Sequence, residues 1–146
     1  MKTFILILFF VLPNYCFSQN LNVFSEFHLV FGEGFRNDLV SVKIAGVNLA
    51  NNVRLESGMI GFASFSIDQN KSGLNIFLHG EDQKRKKIPV GNMLEIYISV
   101  NNIWRRFAFD LTKGKILYAQ YNSMAFGWTG FKVLTIKQQT HPAVFF

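Results

Sequence analysis

Two runs joined by a pair of asparagines constrain the folding of this chain more than any other feature. Leu94, Ile96, Ile98 and Val100 recur at every second position, Asn101-Asn102 follows, and Ile103 to Phe109 continues beyond. A period of two places successive side chains on opposite faces of a strand. Paired asparagines tolerate the positive φ values that a two-residue hairpin turn demands. The segment predicts a β-hairpin.

The same period recurs elsewhere, punctuated by turn residues. Asn22 to Phe31, Leu39 to Ile44, Gly61 to Ile67, Leu74 to Leu78, Ile116 to Tyr121 and Phe131 to Ile136 each read as a strand. "GEGFRND" and "DQNKSG" carry the glycines, asparagines and aspartates of loops. Only Asn48 to Leu55 is read differently, as one short helical turn. The 17 phenylalanines and frequent β-branched residues suit strands. About eight short strands, most near six residues, predict an all-β fold, a single antiparallel β-sandwich.

The chain start differs in kind. Lys2 precedes the unbroken apolar run Phe4 to Leu12, which is far shorter than the roughly 20 residues of a membrane-spanning helix. A positive start, a short apolar core and small residues near a cut site form the pattern of a secretory signal peptide. Cys16 and Ser18 stand three and one residues before a cut that would leave Gln19 first. The expected division is a signal peptide over 1–18 and a single β-sandwich domain over 19–146. Tyr15 is too bulky to precede a lipid-bearing cysteine, so Cys16, the one cysteine of the chain, is expected to leave with the signal. A domain without cysteine relies on its core rather than on disulfides. The formal net charge of +6 falls by one with Lys2.

Five residues stand out as candidate ligand contacts. Trp104 and Arg106 share a strand face, with Ile103, Arg105, Phe107 and Phe109 on the other. Trp beside Arg is the composition of a recognition hot spot; the alternative is that Trp104 fills a second core layer. Phe35 and Arg36 sit in "GEGFRND", expected as a flexible loop. Trp128 sits in "NSMAFGWTG", read as a second aromatic loop. Glu33, Asn37 and Asp38 supply oxygens but lack the regular spacing of a calcium loop, and Asp38 is expected to close its turn through local backbone. Lys84-Arg85-Lys86-Lys87 reads as a solvated hairpin tip, with anion binding as the functional alternative. Asn70-Lys71-Ser72 fits a glycosylation sequon.

No nucleophile elbow, zinc-protease motif or phosphate loop is present in the sequence. His28, His79 and His141 are isolated, and no metal, cofactor or catalytic residue is assigned. The expectation is a secreted or periplasmic, non-enzymatic binding module whose ligand is a glycan, an envelope polymer or a protein. Nucleic acid and stable membrane insertion are not expected. Two alternatives accompany this reading. One is a secreted enzyme inhibitor. The other is an outer-membrane β-barrel of eight strands, suggested by the terminal "HPAVFF" but opposed by short strands and by Pro142. On the sandwich reading, Val144-Phe145-Phe146 is a tail that docks on the domain or a partner.

Overall fold

The computed structural model describes residues 24–59, 61–126 and 129–141. The expected signal peptide with Cys16, as well as Trp128 and the segment 142–146, lies outside the described residues. Ten strands appear in chain order: β1 (Phe27–Phe31), β2 (Arg36–Ile44), β3 (Val47–Glu56), β4 (Phe65–Gln69), β5 (Leu74–Leu78), β6 (Glu81–Arg85), β7 (Met93–Val100), β8 (Ile103–Asp110), β9 (Ile116–Phe126) and β10 (Thr129–Gln139). They form a six-stranded sheet, β10-β9-β1-β4-β5-β6, and a four-stranded sheet, β3-β2-β7-β8. The fold is an all-β sandwich of two open sheets, not the closed barrel of the alternative reading.

Apolar alternation builds the interior. Phe27, Leu29 and Phe31 of β1 pack with Phe65, Ile67, Leu74 and Ile76 from the six-stranded sheet. Val40, Val42, Ile44, Leu94, Ile96, Ile98 and Val100 close over them from the other sheet. The rings of Phe31 and Phe65 lie 4.7 Å apart at their centroids. Burying each such side chain contributes about 1.5–3 kcal/mol.

Three hairpins use two-residue turns with both residues at positive φ: Ala45-Gly46, His79-Gly80 and Asn101-Asn102. The asparagine pair behaves as expected, at φ 50° and 67°. Asn70 folds the β4–β5 turn, its Oδ1 accepting from the Ser72 N–H at 2.9 Å and the Ser72 hydroxyl at 2.6 Å.

Several expectations need correction. One pairing is parallel: β1 lies beside β9 in the register His28↔Ile116 to Phe31↔Ala119. The chain visits the other sheet between these strands, and that long excursion supplies the crossover a parallel neighbour requires. Asn48 to Leu55 is strand, not helix. Its pairing with β2 shifts register at Arg36/Asp38, Val40/Val42 and Val42/Lys43, and such bulges break the period of two that marks a strand. The Ser41 hydroxyl fills the gap, accepting from the Asn52 N–H at 2.8 Å.

The basic run is not a hairpin tip. Lys84 and Arg85 belong to β6, an edge strand whose five residues are all exposed. With neither face buried, it carries no apolar alternation, and backbone pairing to β5 alone makes it a strand. Beyond it, buried Gln69 anchors the crossing to β7. Its amide donates to the Ser25 and Ile88 carbonyls at 2.9 and 3.1 Å and accepts from the Ile88 N–H at 2.9 Å. Finally, β9 and β10 are longer than the alternation suggested, with 11 residues each. Their register runs without a break from Phe126↔Thr129 to Ile116↔Gln139.

Candidate functional site on the outer face of the four-stranded sheet

The β7–β8 hairpin sets the site. A two-residue turn at Asn101-Asn102 pairs Val100 with Ile103, so Ser99 meets Trp104 and Tyr97 meets Arg106. On the other side of β7, Ser99 meets Ser41 and Tyr97 meets Lys43. Asn48 completes the second row opposite Lys43. The side chains of Ser41, Lys43, Asn48, Tyr97, Ser99, Trp104 and Arg106 alternate with the core set and face away from the six-stranded sheet.

The choice left open for Trp104 is decided by β8 parity. Phe107 and Phe109 pack against the core, which turns Trp104 and Arg106 outward, and Trp104 is 53% exposed. Its indole borders an open groove of about 530 Å³ lined also by Lys43, Ala45, Gly46, Glu95 and Tyr97. An aromatic wall with a few polar groups is the usual composition of a small-ligand site.

Three polar side chains in this region are locked together. The Arg106 guanidinium grips Glu95 twice, with Nε 2.8 Å from Oε1 and an NH2 group 3.1 Å from Oε2. The Tyr97 hydroxyl donates to the same carboxylate. Two-point Arg–carboxylate pairing fixes orientation as well as charge. The Tyr97 hydroxyl, followed by Arg106, holds the Glu95 carboxyl below its ordinary range. Its hydrogen bond to Glu95 pushes Tyr97 up, and the separate bond from Arg106 to Glu95 pushes Arg106 up. The site therefore presents a carboxylate, a phenol and a guanidinium in one fixed arrangement at neutral pH.

The second cluster singled out from sequence is structural. Phe35 was expected on a flexible loop, yet it is 1% exposed. It sits 5.8 Å from the Phe31 ring and 5.7 Å from that of Tyr121. The "GEGFRND" loop wraps the sandwich end so closely that its one large apolar side chain joins the core. Arg36, by contrast, is exposed at the start of β2, opposite Glu56 of β3. Trp128 lies outside the described residues.

The loop's oxygens are already engaged. Glu33 accepts from the Gln120 amide at 2.6 Å, and Asn37 from Arg54 at 2.8 Å. Buried Asp38 accepts from the Arg36 N–H at 2.8 Å, from Asn101 at 2.8 Å and from the Lys132 ammonium at 3.2 Å. Burial pushes Asp38 up, but the bonds from Arg36, Asn101 and Lys132 and the Lys132 charge outweigh it and hold the carboxyl below its ordinary value. The Arg36 bond closes the local turn, as expected for Asp38.

Lys43, Glu95 and Tyr97 were not singled out from sequence. The signal was nonetheless there. Once Asn101-Asn102 is read as a two-residue turn, the register across it places Tyr97 opposite Arg106 and Ser99 opposite Trp104. Lys43 carried no such signal, because its neighbourhood depends on β2 pairing with β7 from far along the chain. Compared with known protein families, curated proteins and solved structures, the chain matches none of them.

Proposed function

We propose that this chain is an exported, non-catalytic binding module that takes a glycan on the outer face of its four-stranded sheet. One observation carries the reading: Trp104, half exposed on a regular strand, borders an open groove beside the pre-tied Glu95–Tyr97–Arg106 group. The flat apolar face of a sugar packs on an indole, while its hydroxyls exchange hydrogen bonds with carboxylate, phenol and guanidinium. A rigid sheet and a pre-paired polar group lower the ordering cost of binding. An open, shallow groove suits a chain that passes through rather than a small molecule that must be enclosed.

Export rests on the charged, short apolar start and the small residues at Cys16 and Ser18. Two measurements test the proposal. Intact mass of the exported protein is expected to start at Gln19. A glycan panel is expected to give binding that Trp104→Ala removes while the far-ultraviolet spectrum stays unchanged. A panel with no binder, or binding indifferent to Trp104→Ala, overturns the sheet-face reading.

A further inference from the structure

The groove beside Trp104 does not end at Ala45. A second cavity of about 170 Å³ adjoins it, sharing Ala45 and Glu95 and bounded beyond them by Pro89, Val90, Gly91 and Met93. The segment that forms this extension follows directly on Lys84-Arg85-Lys86-Lys87. The basic run also touches the site from the other side. The Arg85 guanidinium donates to the Asn48 carbonyl at 3.4 Å, and Asn48 is the direct cross-strand partner of Lys43. A run that looks remote in sequence therefore stands at the end of the same surface path.

The charges along that path do not cancel. Glu95 is matched by Arg106, which leaves the Lys43 ammonium as the lining cation with no side-chain hydrogen bond or ion pair among the described residues. Lys84, Arg85 and Lys86 are exposed and Lys87 is half buried. Glu81 and Asp82 lie at the opposite end of β6, next to the His79-Gly80 turn and paired with Leu78 and Phe77. An aromatic platform at one end, an unspent ammonium in the middle and a basic segment at the other end form a track for an extended anion.

Building on the glycan reading above, we propose that the groove takes an acidic, carboxylated polysaccharide, laid from Trp104 across Lys43 toward Lys84–Lys87. Stacking on Trp104 selects a sugar ring, and Lys43 with the basic run selects its carboxylates. The size and openness of the two joined cavities suit several residues of a chain rather than one free sugar.

The test compares matched probes that differ only in charge: polygalacturonate and alginate, each against its methyl ester. Binding is measured by titration calorimetry with the wild-type protein and with Lys43→Met, Arg85→Met and Trp104→Ala. At least one acid form is expected to bind about fivefold or more tightly than its ester, because one close charge pair in water is worth about that factor. Lys43→Met and Arg85→Met are each expected to erode this preference, Trp104→Ala to weaken acid and ester alike, and added salt to shrink the acid–ester gap. Equal binding of acids and esters, unchanged by Lys43→Met, overturns the charge selection and leaves the glycan reading standing. Loss of every saccharide, neutral panel included, overturns both. Binding of single-stranded DNA with no response to either polysaccharide overturns the proposal in favour of a different polyanion.

Discussion

The Lys132 ammonium of β10 lies 3.2 Å from the Asp38 carboxylate of β2, tying the six-stranded sheet to the four-stranded one at the sandwich end. The same ammonium donates to the Gly34 carbonyl at 3.0 Å and sits 4.9 Å from the Tyr121 ring centre. Because Asp38 is held below its ordinary value in the folded protein, its stabilisation is complete above about pH 5, where the unfolded carboxylate is almost fully ionised. It is lost as acid carries the pH down through the lower folded value. Asp38→Asn is expected to cost about 1.5–3 kcal/mol at pH 7, the worth of hydrogen bonds to a charged group, and to flatten the acid limb of the stability curve. Urea melts of both proteins between pH 3 and pH 7 check this. A mutant curve parallel to wild type removes the ion pair from the account.

Gly34 stands in the same knot at φ 93°, and a Cβ there would lie 2.0 Å from the Tyr121 carbonyl oxygen. Neither the backbone angle nor the space admits a side chain. Gly34→Ala is expected to destabilise by about 3 kcal/mol, read as a drop in the thermal midpoint. A midpoint within error of wild type is the contrary result.

Ala45 occupies the first position of the β2–β3 turn at φ 48°, where its Cβ crowds the following carbonyl at a cost of about 1 kcal/mol. Ala45→Gly is expected to stabilise by a few tenths of a kcal/mol up to about 1, since relief of strain outweighs the added freedom of the unfolded chain. Chemical denaturation at matched m-values gives the answer, and a loss of stability refutes the strain.

Two aromatics picked from the sequence for the same role should part company. Phe35→Ala empties a fully buried site and is expected to cost about 3–5 kcal/mol without a specific effect on ligand contacts. Trp104→Ala removes an exposed side chain and is expected to change stability by less than about 1 kcal/mol while strongly weakening glycan binding. Melting curves and binding isotherms on both variants separate the two.

Tyr97 owes its raised ionisation first to the hydrogen bond it gives Glu95. Glu95→Gln removes the charge that opposes a phenolate, so Tyr97 is expected to ionise at lower pH than in the wild type. Ultraviolet titration, with Tyr97→Phe identifying the component, follows the shift. An unchanged titration breaks the proposed coupling.

Much of the architecture was legible because the chain announces it locally. The alternation in Leu94 to Val100, the asparagine pair and the alternation through Phe109 together specify the hairpin that carries Trp104 and Arg106. Phe27, Leu29 and Phe31 announce the inner face of β1 in the same way. The failures share one cause. Asn48 to Leu55 hides a strand behind three register shifts, and Glu81–Arg85 hides one on a sheet edge with no buried face. Where pairing rather than burial makes the strand, period offers nothing to read.

By itself, then, the sequence determined the β period of the alternating strands, their apolar faces and the turn chemistry, because those properties depend on neighbours one to three residues away. Tertiary structure alone decided that Phe35 is core, that β1 runs parallel to β9, that Lys43 lines the groove with Trp104, and that Arg85 reaches Asn48 on the far edge of the same sheet. Each of these depends on pairings between segments far apart in the chain. Such contacts form only once the two sheets close on a common core, and no local pattern encodes them.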